Sequence, residues 1–181
     1  MSIISFKERY NAKAKELLGE LGVGNVNALP KLKKITVNVG TGRFRGNKDM
    51  LTYIEASLKQ ITGQKAAVTK SRKSIAGFKL RAGEEVGFKV TLRNQKMHDF
   101  LDRLINVALP RIREFRGFEQ SNFDGQGNLT IGLGDTVPFA ELGHSSIDKP
   151  FGLSITLNIA NSDREKSYKL LQSLGLPVKI D

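Results

Sequence analysis

Val86-Gly-Phe-Lys-Val-Thr-Leu-Arg93 alternates along its whole length, with Val86, Phe88, Val90 and Leu92 on one side and Gly87, Lys89, Thr91 and Arg93 on the other. Successive side chains of a strand point to opposite faces, so the stretch predicts a strand with one face in a core and a polar, cationic reverse. Working outward, Lys34-Ile-Thr-Val-Asn-Val-Gly40 repeats the pattern, with Ile35, Val37 and Val39 inward and Lys34, Thr36 and Asn38 outward. A third such strand has Leu153, Ile155, Leu157 and Ile159 inward, and a shorter one has Leu129, Ile131 and Leu133. Weaker strand signals lie at Ala66 to Thr69 and Phe78 to Arg81.

Helical periodicity fills the gaps. Ser5 and Glu8 have capping-box spacing before Phe6, Tyr10, Ala14, Leu17, Leu18 and Leu21, predicting a helix over about 6–21. Leu51, Ile54, Leu58 and Ile61 predict a second, from near Asp49 to Gly63. Asn94 can cap a third, whose stripe of Met97, Phe100, Leu101, Leu104, Ile105 and Ala108 closes at Pro110. Ser162 and Glu165 repeat the capping box before Leu170, Leu171 and Leu174. Strands with one apolar face need cover on that face alone. The expected fold is therefore α+β: a mostly antiparallel sheet covered by helices on one face, polar on the other, in a single domain spanning residues 1–181. Residues 135–150 read as a long loop.

Charge is concentrated. Lys and Arg number 29 against 18 Asp and Glu, a formal net charge of +11, which points to a polyanionic partner. Between Ala56 and Gly83 stand Lys59, Lys65, Lys70, Arg72, Lys73, Lys79 and Arg81 with no acidic residue, so this segment carries +7 of the +11. Zero cysteines exclude disulfides and thiolate metal sites and suit a reducing cytoplasm. No stretch approaches a membrane span and the N-terminus has no apolar leader core, so a cytosolic protein is expected.

Catalysis is hard to assemble from these residues. His98, expected on the polar side of the third helix, and His144 in a loop have no motif partners, and no nucleophile or metal signature is present. No catalytic residue, metal or cofactor is expected. Gly40-Thr-Gly-Arg-Phe-Arg-Gly-Asn-Lys48 links a strand to a helix and invites a nucleotide-binding reading. Its spacing fails: Gly42 and Gly46 enclose three residues instead of four, and Asn47 separates Gly46 from Lys48. Phosphate contact through Arg43 and Arg45 is the better reading of that loop.

The run Thr69-Lys-Ser-Arg-Lys-Ser74 places hydroxyls beside cations and lacks the acids of a salt-bridged surface. That chemistry suits phosphate and 2′-hydroxyl contacts, and the polar strand face offers a second surface for RNA. Membrane attachment would call for a basic helix with a bulky apolar face, and DNA reading for a recognition helix.

Six strings in order, Leu32-Lys-Lys-Ile-Thr-Val-Asn-Val-Gly-Thr-Gly42, Ile61-Thr-Gly-Gln-Lys65, Thr69 to Arg81, Val90-Thr-Leu-Arg93, Ala108 to Gly117 and Phe123-Asp-Gly-Gln-Gly-Asn128, closely resemble the bacterial family of large-subunit ribosomal protein five. The resemblance covers about residues 5–180. It implies a non-enzymatic protein of the cytoplasmic ribosome, in the central protuberance of the large subunit, that binds 5S rRNA by the polar sheet face. The family's contact residues fall on Asn38, Gln64, Thr91 and Arg93, with Lys34, Lys65 and Lys89 beside them. A long basic loop, here Lys70, Ser71, Arg72, Lys73 and Ser74, is expected to approach the peptidyl-site tRNA. Other implied partners are 23S-type rRNA, neighbouring central-protuberance proteins and a small-subunit head protein, reached by an intersubunit bridge near residues 135–150. There Gly134-Asp-Thr-Val-Pro-Phe-Ala-Glu-Leu142 departs from the family's usual string.

Overall fold

Each alternating stretch forms a strand in a computed structural model, which describes residues 8–10, 12–13, 16, 25–112, 115, 117–143 and 148–178. The strands are β1 (Lys31–Gly40), β2 (Ala67–Lys70), β3 (Glu85–Leu92), β4 (Leu129–Leu133) and β5 (Leu153–Ala160), joined in one antiparallel sheet of order β2-β3-β1-β5-β4. In β1, Ile35, Val37 and Val39 are buried while Asn38 is exposed and Lys34 and Thr36 are half-buried. In β3, Phe88, Val90 and Leu92 are buried and Lys89 is exposed. The expected α+β class and the expected faces are both present.

The chain divides into two compact units, one of residues 36–92 and 132–155, the other of residues 1–35, 93–131 and 156–181. In the first, α1 (Lys48–Thr62) starts where the Asn47 side chain accepts from the Met50 N–H at 3.0 Å. It ends at Gly63, whose φ of 66° is the left-handed closure that glycine adopts at little cost. Met50, Ile54, Leu58 and Ile61 form its buried stripe, packed on β3 and on the short turn Ala140–Leu142. Antiparallel β2 sets Thr69 opposite Gly87, after which the register slips and Lys70 faces Glu85. Val86 is thus an extra residue in β3, and such a bulge bends and twists the pair where the basic segment leaves the sheet.

In the other unit, α2 (Asn94–Arg103) runs into a wider π turn at Leu104–Ala108 and a tight turn at Leu109–Arg111, and α3 (Arg164–Ser173) follows β5. Phe100, Leu101, Leu104, Leu109, Leu170 and Leu171 are buried there. Residues 8–10, 12–13 and 16 are helical; the rest of the helix expected over 6–21 lies outside the described residues.

Four local expectations are corrected. Phe78 to Arg81 is no strand: Ala76–Phe78 is a single tight turn and Lys79 has φ 51°, so the chain reverses instead of extending. Asn94 does not cap α2; it is the first helical residue, with φ 54°, and Arg93 occupies the cap position without a side-chain bond. The cap of α3 is Asp163, whose carboxylate accepts from the Lys166 N–H at 2.9 Å, while Ser162 bonds the Ser167 hydroxyl. His98 is buried, with its ring 5.2 Å from that of Tyr10, because it lies on the apolar side of α2. It is a packing residue, and His144 lies outside the described residues.

Candidate nucleic-acid interface

The polar face of β1 and β3 begins with a tight approach of backbones. Gly87 is buried, and a β-carbon there would lie 2.5 Å from the Val39 carbonyl oxygen and 3.1 Å from the Thr69 hydroxyl. Only glycine fits, which keeps the strands close and leaves the surface above them to their neighbours' polar side chains. Asn38 and Lys89 are exposed and Thr91 is half-buried on that face. Among the described residues the Asn38 carboxamide and the Thr91 hydroxyl make no hydrogen bond, and Lys89 has no ion-pair partner.

Gln64 reaches the same region from the end of α1. Its Nε2 donates to the Thr91 carbonyl at 3.3 Å, which holds the carboxamide beside β3, and Lys65 next to it is exposed with Glu55 at 3.7 Å. An exposed pair at that separation contributes little and leaves the lysine available. Asn38, Gln64, Lys65, Lys89 and Thr91 thus fall in one unit; Lys34, half-buried, and Arg93, exposed, belong to the other.

The basic segment is a small hairpin with its own internal frame. Ile75 and Leu80 exchange both backbone bonds, at 2.9 and 3.1 Å, while the Ser71 N–H bonds the Glu84 carbonyl and the Gly83 N–H the Ser71 carbonyl. Ser71 Oγ donates to the Lys73 carbonyl at 2.7 Å, and Ser74 Oγ accepts from the Ala82 N–H at 3.0 Å. Both serine hydroxyls therefore serve the hairpin itself. Lys70, Arg72 and Lys73 are exposed and, among the described residues, unpaired.

Arg45, expected to touch phosphate, has another task. Its Nη1 donates to the Phe78 carbonyl at 2.6 Å and its Nε lies 3.2 Å from Glu84 Oε1, so the guanidinium braces the hairpin. Arg43 stays exposed beside a groove of about 650 Å³ that also meets Phe44, Pro150 and Phe151. The glycine-rich loop does not form a phosphate cradle: the Thr41, Phe44 and Asn47 amides bond the carbonyls of Val86, Thr41 and Phe44. No sequence signal marked Arg45 as structural, since its partners lie 33 and 39 residues further on.

The Phe123-Asp-Gly-Gln-Gly-Asn128 string is likewise structural. The Asp124 carboxylate accepts from the Gln126 and Asn128 amides and from Asn128 Nδ2, at 2.7 to 2.9 Å. The Asn128 side-chain bond, the first of these influences, holds the Asp124 carboxyl below its ordinary pKa. Asn128 Oδ1 in turn accepts from the Ile159 N–H at 3.2 Å, which pins the turn to β5.

Among the described residues no group of His, Asp and Glu could hold a metal ion, and no helix is long and apolar enough to cross a membrane. Family models match most of the chain: the one described as "Ribosomal protein L5" over residues 25–81, and the one for the C-terminus of the same ribosomal family over residues 85–178. The chain belongs to the ribosomal protein L5 family. It is 47% identical to the large ribosomal subunit protein uL5 of Mesoplasma florum over 164 residues, covering 91% of each chain. It is 45% identical to uL5 of Geobacter sulfurreducens and 44% identical to uL5 of Psychrobacter, each over 174 residues, or 96% of this chain and 97% and 98% of theirs. The uL5 family is structural and not enzymatic.

Proposed function

We propose that this chain, by its family a structural constituent of the large ribosomal subunit, binds 5S rRNA through the open strand face and meets the peptidyl-site tRNA through the basic hairpin. The observation that carries the reading is the strand face itself, where Asn38, Lys89 and Thr91 present donors, acceptors and a cation with no side-chain partner among the described residues. Phosphate contacts position an RNA and side-chain hydrogen bonds fix its register, so such a surface holds a preformed RNA shape without making or breaking a bond. Gln64 and Lys65 extend the face on one side; Lys34 lies in β1, and Arg93 directly follows β3 at the cap of α2. Lys70, Arg72 and Lys73 supply phosphate contacts at the hairpin.

The wider assembly follows from the family resemblance: 23S-type rRNA, neighbouring central-protuberance proteins and a small-subunit head protein met by the segment at residues 135–150. The whole chain acts as one domain of a cytoplasmic ribosome in this reading.

Gel-shift titration of 5S rRNA with the full chain tests it. If about 5–8 phosphates are neutralised, affinity falls by orders of magnitude between about 50 and 200 mM salt. Asn38→Ala and Thr91→Ala are expected to weaken binding without altering the unfolding midpoint. Unchanged affinity in both variants rejects the assigned face.

A further inference from the structure

Burying an aromatic ring is among the strongest tendencies of a folding chain, and Phe78 defies it at 72% exposure. Among the described residues the other exposed large apolar ones, Val68, Ile75 and Val137, reach only 40 to 46%. Phe78 closes the tight turn Ala76–Phe78 at the tip of the hairpin, between the Ile75–Leu80 pair and the left-handed Lys79. Its carbonyl is gripped by Arg45 at 2.6 Å, and Arg45 is anchored by Glu84. The backbone under the ring is therefore fixed before any partner arrives. In the same hairpin Arg72, Lys73, Lys79 and Arg81 are all exposed.

We propose that Phe78 is a base-stacking residue, which lays its ring on an unpaired nucleobase of the RNA held by the hairpin cations. The inference rests on the reading of the hairpin as an RNA contact and adds the kind of nucleotide it takes. An exposed aromatic ring in a hairpin that also exposes four cations matches the two needs of unpaired RNA, a π surface for the base and positive charge for the backbone. A regular duplex offers no open base face, so the contact falls on a loop, a bulge or an open stack end. An apolar pocket of a protein would accept the ring but gain nothing from the four cations of the same hairpin. Because the turn is braced from below, little ordering cost is left to subtract from the contact.

The test uses large subunits reconstituted with full-length variants and titrated with tRNA over a range of salt. Phe78→Ala is expected to weaken binding by about tenfold, with the plot of log affinity against log salt displaced but parallel, because stacking releases no counterions. Phe78→Tyr and Phe78→Trp restore affinity, and Phe78→Leu does not. A tRNA carrying 2-aminopurine at successive unpaired loop positions shows fluorescence quenching at one position with Phe78 and loses it with Leu. Wild-type affinity in Phe78→Leu overturns stacking in favour of a plain apolar contact. Wild-type affinity in Phe78→Ala, with Lys73→Ala and Arg72→Ala both weakened, overturns the inference and keeps the hairpin as an RNA contact. If none of these variants changes binding, the hairpin reading falls and the inference falls with it.

Discussion

The strand face and the basic hairpin both carry cations, but they prepare those cations in opposite ways. On β1 and β3 the backbone bonds are taken up by the sheet, so the side-chain groups of Asn38, Lys89 and Thr91 stay unbonded among the described residues. In the hairpin the backbone pairs only at Ile75–Leu80 and where Ser71 meets Glu84 and Gly83, and side chains supplement that pairing: Ser71, Ser74 and Arg45 all bond backbone groups. Polar residues of similar appearance therefore differ in availability. A sheet frees hydroxyls and amides for recognition, whereas a loop of similar composition consumes them to hold its shape.

The largest effect expected from breaking this contrast lies under the strand face. Gly87→Val would force a branched side chain against the Val39 carbonyl, and urea unfolding should show a loss of about 2–3 kcal/mol. Unchanged stability would mean that β1 and β3 can part there without cost. Arg45→Ala should be milder and confined to the hairpin. Its bonds are about a third exposed, so about 1 kcal/mol is expected, seen as faster amide exchange at Ile75 and Leu80 with the global midpoint unmoved. A drop in the global midpoint would show that the hairpin is part of the cooperative core.

Ser74→Ala sharpens the comparison further, because it removes one internal bond and no charge. Hairpin opening should become easier by about 0.5–1 kcal/mol in amide exchange, while the salt slope of RNA binding stays constant. Lys73→Ala should do the reverse, lowering that slope by about one and leaving exchange alone. If Ser74→Ala weakens RNA binding equally at every salt concentration, the hydroxyl is an RNA contact after all.

The smallest effect is a control outside both regions. The Lys166 amide bonded to Asp163, and Asn128 bonded to Asp124, hold both carboxyls below their ordinary pKa. A depressed native pKa contributes stability that is complete above the unfolded value of about 3.9 and disappears as pH falls through the lower native one. Acid unfolding followed by circular dichroism should therefore be less steep below about pH 4 in Asp163→Asn than in the wild-type chain. Equal slopes would remove the Asp163 cap from the account.

Local signals explain what could be read in advance. Period-two alternation placed Asn38, Lys89 and Thr91 outward and Phe88 inward, since a strand's two faces depend on neighbours in sequence alone. The same logic misplaced His98, because a helix has no sharp boundary between its faces and the Tyr10 ring draws the imidazole inward. It also extended Phe78 to Arg81 as a strand, although Gly77 and the left-handed Lys79 turn the chain back. Asn94 and Ser162 each stood one residue from the true cap position, an error that capping preferences invite when Arg93 or Asp163 is adjacent.

By itself the amino-acid sequence determined the α+β class, the polar side of the sheet, the concentration of positive charge between Ala56 and Gly83 and the family. Only the tertiary structure decided which polar groups remain free. Arg45 meets Phe78 and Glu84, and Gly87 meets Val39, through pairs far apart in the chain. Alternation is a property of neighbouring residues, whereas the satisfaction of a hydrogen-bonding group depends on what folding brings within about 3 Å of it.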